Sequence, residues 1–322
     1  MIKKLKKIIK MDHTSKGWKL QQLLAFIQGP PGAGKSFVAK KLAEELGQNI
    51  IMTGTTHNAA RQVNGFTINE LLHLGRNTGY MPKRKLSGDH IADIQDKLDN
   101  IQLIVIDEIS MMTPVTLHRV DLHLRIAFDG NFPFGGKNII LIGDMWQFPP
   151  VEQMFQNKAA LYQAVVRVAR GEDTPNEAYT DGAEAFMKFK MVKLKGQERA
   201  SERYNTWLKK LRNPDDDSPI DDKWLKDLNI LKAQDLRQNQ GTDWAFTPII
   251  VTGHHERREI IKHKMMKFGE KYNEPILRWT CPMSYKSKYK EPSPLIANVY
   301  KQLTQYFVRG AKCMLSKSAY GF

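Results

Sequence analysis

The sequence predicts an α/β fold, a parallel sheet with helices on both faces, and three features predict it. The first is Leu24-Ala25-Phe26-Ile27-Gln28 running into Gly29-Pro30-Pro31-Gly32-Ala33-Gly34-Lys35-Ser36, an apolar strand that turns through glycines into a helix. The second is a pair of later runs, residues 101–106 and 138–142, apolar at nearly every position, as buried parallel strands are. The third is connectivity: helix-forming segments separate the runs, which suits right-handed crossovers that place the glycine turn at a strand's C-terminal end.

The first strand and its turn carry the most chemistry. Gly29 to Ser36 satisfies the P-loop pattern at every fixed position. Glycines let successive backbone N–H groups turn inward around phosphate oxygens, and the helix N-terminus adds partial positive charge. Lys35 then reaches the β- and γ-phosphates, and Ser36 is placed to ligate Mg²⁺. Gly29, Pro30, Pro31, Gly32, Ala33, Gly34, Lys35, Ser36 and Phe37 are the candidate nucleotide cradle. The helix carries Val38, Leu42 and Leu46 on one face, and Gly47 stands where a left-handed cap is expected.

Ile50-Ile51-Met52-Thr53 reads as a second buried strand. It opens into Gly54-Thr55-Thr56-His57-Asn58, a small polar turn entering another helix. Gly65-Phe66-Thr67-Ile68-Asn69 then leads into Glu70-Leu71-Leu72. An insertion is expected near 74–100; up to Gly88 it is rich in glycine and basic residues, Lys83-Arg84-Lys85 among them, and reads as exposed.

The clearest strand, residues 101–106, runs directly into Asp107-Glu108-Ile109-Ser110-Met111-Met112. Carboxylates at a strand's C-terminal edge lie where ligands of open α/β sheets sit. Asp107 suits Mg²⁺ opposite Ser36, and Glu108 suits the orientation and deprotonation of an attacking water. The plain alternative is a helix N-terminus that favours acids. The strand at 138–142 ends in Gly143-Asp144-Met145-Trp146-Gln147-Phe148-Pro149-Pro150, where Gln147 is placed to sense a γ-phosphate or hold the water.

These motifs resemble, in order, those of the Pif-one DNA helicases and the helicase part of Helitron transposases. The acid–acid–Ile–Ser–Met run and the Gly-Asp…Gln-Phe-Pro-Pro run are the specific parts. Phe134-Gly135-Gly136-Lys137 matches too, as does Gly65-Phe66-Thr67-Ile68, although the family usually has histidine where Asn69 stands. The resemblance implies a P-loop NTPase with a RecA-like ATPase domain over 23–187, preceded by a basic arm (1–22) and followed by a partial second RecA-like domain (188–322). It implies ATP and Mg²⁺ as cofactors and 5′-to-3′ movement on single-stranded DNA, with duplex unwinding in replication, repair, recombination, telomere maintenance or transposon replication. Thr55, Thr56, His57 and Asn58 would line the DNA. Arg199 aligns with the arginine that crosses to the γ-phosphate, so the catalytic set is Lys35, Asp107, Glu108, Gln147 and Arg199. Gln21 and Gln22 lie too close to the first strand to match the family's adenine-reading glutamine.

The second half is less legible. Trp207, Leu208 and Leu211 share a helical face, and residues 213–219 form an exposed acidic break. Pro248–Thr252 reads as a further buried strand, Glu256–Phe268 as a helix, and Phe307–Leu315 as a strand. His254-His255 has no further metal ligands nearby in sequence. The family's late motifs do not follow, which is expected to impair coupling more than ATP binding.

The chain has 322 residues and a net charge of +15, which favours a polyanionic partner, nucleic acid being the commonest; the resemblance implies single-stranded DNA and DNA junctions. Hydrophobic content is 41% with no membrane-length run, and two distant cysteines suggest neither a disulfide framework nor a zinc site. A monomer inside the cell is expected, in the nucleus or a mitochondrion if eukaryotic. The competing readings are a nucleotide- and DNA-binding remnant without turnover, and a GTPase or small-molecule kinase. A guanine-reading Asn-Lys-x-Asp segment is absent.

Overall fold

In the computed structural model, residues 22–46, 49–74, 86–150, 160–194, 196, 201–212, 249–251, 254–280 and 304–311 are described. The chain divides into two compact units, residues 1–224 and 225–322.

The first unit is built on six parallel strands, β1 (Leu24–Gln28), β2 (Ile50–Gly54), β3 (Phe66–Thr67), β4 (Leu103–Asp107), β5 (Asn138–Gly143) and β6 (Lys190–Lys193), in the spatial order β3-β2-β4-β5-β1-β6. The parallel α/β sheet expected from sequence is therefore present. The central strands β4 and β5 are buried throughout, and β1 at all but its last residue. Alternation along them divides the core. On one face Ala25, Ile27, Val105, Ile140 and Ile142 meet Val38, Ala39 and Leu42 of helix α1 (Lys35–Leu46). On the other, Phe26, Ile104, Ile106 and Leu141 meet Leu117, Val120 and Leu124 of the later helix Pro114–Ala127, together with Phe134. Each of the valine, leucine, isoleucine and phenylalanine side chains among them contributes about 1.5–3 kcal/mol on burial, so these strands are the fixed frame of the site.

Between β2 and β4 run α2 (His57–Gln62), a single turn α3 (Ile68–Leu71) and α4 (Gly88–Leu98). Helix α4 occupies the second half of the stretch where an insertion is expected. Ser87 caps it by accepting from the His90 N–H, and Ile94 and Leu98, one turn apart, are fully buried. Only residues 75–85 of that stretch, with Lys83–Lys85, lie outside the described residues.

Between β4 and β6 lie α5 (Pro114–Ala127), α6 (Leu161–Ala169) and α7 (Glu177–Met187). Helices α5 and α7 pack so closely that a Cβ on Gly182 would lie 1.9 Å from the Pro114 carbonyl oxygen. The Phe134-Gly135-Gly136-Lys137 motif is architectural. Phe134 is buried under α5, and the Lys137 ammonium donates to the Leu98 and Ile101 carbonyls at 2.7 and 3.3 Å. Gln22 is architectural as well, donating to the Pro133 and Lys137 carbonyls at 2.6 and 2.7 Å.

The expected domain boundary at 188 falls inside this unit. Strand β6 pairs with β1 from Ala25↔Lys190 to Gln28↔Lys193, and helix α8 (Glu202–Arg212) also belongs to the first unit. A lysine-bearing edge strand reads poorly from sequence, which is why the sheet was expected to end earlier.

The second unit contains helix α9 (His254–Tyr272) and an antiparallel pair, β7 (Ile276–Thr280) with β8 (Thr304–Val308). The expected helix is thus longer at both ends. The expected strand at 248–252 is corrected: residues 249–251 are in no strand, and Ile250 is 98% exposed. The strand expected over 307–315 ends at Val308, where Gly310 turns the chain at φ +82°. Residues 213–219, the histidine side chains at 254–255, and residues 312–315 lie outside the described residues. No helix among the described residues is long and apolar enough to cross a membrane.

A candidate nucleotide site at the carboxyl edge of the sheet

The register of the sheet sets which loops meet. Gln28 of β1 stands beside Gly143 of β5, and Gly54 of β2 beside Asp107 of β4. The strands therefore deliver the glycine turn, the acidic pair, the Thr55 turn and the Gln147 loop to one edge, the ligand edge of an open α/β sheet.

The turn from Gly29 to Gly34 opens directly into α1. Gly32 and Gly34 adopt φ of +82° and +83°, and a Cβ at Gly34 would meet no atom within 4 Å. These are the left-handed conformations for which glycine was expected. Lys35 folds back over the turn, its ammonium donating to the Gly29 and Pro30 carbonyls at 2.7 and 2.9 Å. Ser36 and Phe37 follow on the exposed side of the first helical turn.

Asp107 ends β4, a strand buried throughout, and is only 6% exposed. Burial pushes its carboxyl above the usual range, partly offset by the Glu108 N–H and by Lys35. Glu108 is raised as well, by burial first and by the Asp107 charge second, with Lys35 opposing. The two carboxyls and the ammonium therefore share one electrostatic neighbourhood. Glu108 also stands in the left-handed region, at φ +56°, ψ +45°. Holding a non-glycine residue there costs on the order of 1–3 kcal/mol and persists only where neighbours impose it. Both of its peptide groups are held: its N–H donates to Asp107 Oδ1 at 2.8 Å, and its carbonyl accepts the Thr55 hydroxyl at 2.7 Å.

The Thr55–Asn58 turn begins α2. Thr55 N–H donates to the Asp107 carbonyl at 3.1 Å, and the Thr56 hydroxyl caps the helix by accepting from Ala59 N–H. His57 and Asn58 are exposed. Gln147 is exposed in the loop after β5, flanked by Trp146 and Phe148 at 66% and 88% exposure. Arg199 lies outside the described residues.

Three residues escape the sequence reading. Asp144, fully buried, is the focus of a polar knot behind the glycine turn. Its carboxylate accepts from Gln28 Nε2 at 3.1 Å, from Trp146 N–H at 3.2 Å, and from both terminal nitrogens of Arg212. Gln28 in turn accepts the Met145 N–H at 3.1 Å. This knot fixes the base of the Gln147 loop against β1 and α8. Arg212 lies 68 residues from Asp144 in sequence, and a lysine- and arginine-rich helix end reads as solvated, so sequence gives no pointer to it.

Several known proteins are similar to this chain. "ATP-dependent DNA helicase PIF5" of Trypanosoma brucei brucei is 33% identical over 130 residues, covering 39% of this chain and 14% of that protein. "ATP-dependent DNA helicase PIF1" of Saccharomyces cerevisiae is 31% identical over 137 residues, covering 40% of this chain and 16% of that protein. The alignments thus span about a sixth or less of those relatives. Among solved structures, one described as DNA unwinding at forked DNA by two coordinating Pif1 helicases matches with a TM-score of 0.60 at 24% identity, covering 87% of this chain and 59% of that one. Unliganded Pif1 from Bacteroides sp. matches with a TM-score of 0.56 at 24% identity, over 87% of this chain and 57% of that one. These structural matches speak for the fold. The family model for PIF1-like helicase matches residues 3–218, two thirds of the sequence and every motif at the sheet edge; by that measure the chain belongs to the PIF1-like helicase family.

Proposed function

We propose that this chain hydrolyses ATP, with Mg²⁺, to move along single-stranded DNA and separate duplex DNA; relatives of the chain are named ATP-dependent DNA helicases. The observation that carries the reading is the convergence of Lys35, Asp107 and Glu108 at the carboxyl edge, both acids raised by burial and both within reach of the ammonium's field. An edge that buries two carboxyls with one lysine gains from a bound cation. The residues fit that cation: Ser36 stands on the first turn of α1 and Asp107 at the end of β4. Ser36 and Asp107 would hold Mg²⁺, which would supply positive charge against the negative charge of the phosphates.

The remaining roles belong to the chain. The glycine turn presents N–H groups to the phosphates, and Lys35, now on the Gly29 and Pro30 carbonyls, exchanges them for phosphate oxygens. Glu108 takes the proton of the attacking water, a task its raised carboxyl suits. Gln147 orients that water, and Arg199 stabilises the transferring phosphoryl group. Thr55, Thr56, His57 and Asn58 face the DNA, with Trp146 and Phe148 offering flat surfaces on which bases stack. The chain acts as a monomer in this reading. The coordinating pair described for one structural neighbour sets the alternative, which sedimentation on forked DNA distinguishes.

The test is ATP hydrolysis by the purified chain, with and without single-stranded DNA, beside Glu108→Gln. The expected result is DNA-stimulated turnover that falls by about a hundredfold or more in the variant, with nucleotide affinity retained. Nucleotide binding without turnover in the unaltered chain would support a non-hydrolysing remnant instead.

A further inference from the structure

At the left-handed Glu108 the DNA-facing turn touches the hydrolytic residue. Its N–H is tied to the Asp107 carboxylate, and its carbonyl to the Thr55 hydroxyl. Thr55 is bound to the same strand end a second time, through its N–H to the Asp107 carbonyl. Beyond Glu108 the chain enters a tight turn, Ile109–Met111, whose first residue is fully buried and whose end is closed by the Met112 N–H on the Ile109 carbonyl at 2.9 Å. The downstream side is therefore fixed. Of the restraints on Glu108, the Thr55 hydroxyl is the one that belongs to another loop, and that loop leads into the exposed His57 and Asn58. Beside it lies a cavity of about 130 Å³, bordered by Thr55, Asn69, Met111 and Thr116, into which the turn has room to shift.

We infer that Thr55 is a positioning residue for Glu108, and that single-stranded DNA on the Thr55–Asn58 turn acts on hydrolysis through this hydroxyl. The inference rests on the ATPase reading above. A left-handed non-glycine residue has a ready alternative on the right-handed side, so Glu108 is a two-position element biased by one hydrogen bond from the DNA-facing loop. Seating DNA on α2 sets the Thr55 peptide, Thr55 sets the Glu108 carbonyl, and the carbonyl sets where the carboxylate points. By reciprocity, the state of the nucleotide site alters DNA affinity through the same bond.

Two variants of the full chain test this. Thr55→Val keeps the side-chain shape and removes the donor; Thr55→Ser keeps the donor. At saturating oligo-dT, Thr55→Val is expected to lower kcat by about tenfold or more, with the KM for ATP within about threefold of the unaltered chain. Thr55→Ser, which keeps the donor, is expected to restore kcat to within about twofold. A DNA affinity that weakens in Thr55→Val while saturated kcat is retained would make Thr55 a DNA contact only and overturn the inference. So would parallel losses of kcat and melting temperature in both variants, the mark of a merely structural role. If the unaltered chain does not turn over ATP, the function proposed above fails by itself. The inference is then judged from the DNA affinity with and without Mg·ADP–aluminium fluoride. Coupling present in the unaltered chain and lost in Thr55→Val supports it, and coupling that is absent or equal in the two overturns it.

Discussion

At the residue scale, the site depends on charges that burial makes expensive unless they are matched. Asp144 is the extreme case: fully buried, its carboxylate is matched by N–H donors from Gln28, Trp146 and Arg212. Those bonds also occupy it, which makes it a structural focus and not a metal ligand. Arg212→Ala removes the only full positive charge among those donors and strands an ionised carboxylate in the interior. The expected cost is about 3 kcal/mol, read as a lower urea midpoint. Arg212→Lys keeps the charge but loses the two-pronged geometry, at a cost of about 1–2 kcal/mol. Asp144→Asn combined with Arg212→Ala is expected to cost clearly less than the two single changes summed, because the second change removes a partner already lost. Strict additivity would show that the pair does not interact in solution. The same scale marks the limit of the sequence. Lys35, Asp107 and Glu108 were legible because each stands at a fixed position in a strand–turn whose chemistry demands it, Lys35 after β1 and the two acids at the end of β4. Arg212 and the strain at Glu108 were not, since one is a contact across 68 residues and the other a backbone angle.

At the element scale, what could be read was what buries on both faces. β1, β4 and β5 are near-continuous apolar runs, and nothing but a covered parallel strand explains them. β6, with lysine at both ends, and β3, only two residues long, lie at the two edges of the sheet, where that signal fades. Helix α4 was hidden for a related reason: only Ile94 and Leu98 of its eleven residues are buried, so its polar bulk reads as loop. That helix and α5 frame a titrating group of the core. His123 Nδ1 donates to the Leu72 carbonyl at 2.7 Å, and burial holds the imidazole below its ordinary range. The Leu72 bond opposes that shift, while the charges of Arg119, His73 and His90 add to it. Because the unfolded chain then binds the proton more readily than the folded one, the stability contributed at His123 is complete above about pH 6.5. It is lost progressively as pH falls from there towards the lowered folded value. Urea unfolding at pH 5.5 and 7.5 is expected to show a drop for the unaltered chain that is smaller in His123→Gln, which keeps a donor for Leu72 without a titrating ring. An equal drop in both would place the acid sensitivity elsewhere.

At the scale of the whole molecule, the net charge of +15 and the placement of the exposed polar turn make one argument about DNA. The Thr55–Asn58 turn carries no cluster of side chains with the paired donors and acceptors that read base edges, and its exposed neighbours Trp146 and Phe148 offer faces that stack on any base. In the DNA-binding role proposed above, affinity would then come from phosphate contacts and stacking, and the phosphate part would release counterions. The expected behaviour is a linear fall of log affinity with log salt, with a slope of about −3 to −5 for some five to seven phosphates engaged on a single strand. Oligo-dT and a mixed sequence of equal length should bind within a few-fold of each other, because stacking tolerates every base. Fluorescence anisotropy between 50 and 300 mM salt, about the range over which such slopes are resolved, measures both quantities at once. A slope near zero would mean that the positive surplus lies away from the DNA path and serves solubility alone. A strong preference for one sequence would mean that some side chain reads base edges after all, and the assignment of the Thr55 turn as a backbone-holding surface would have to be withdrawn.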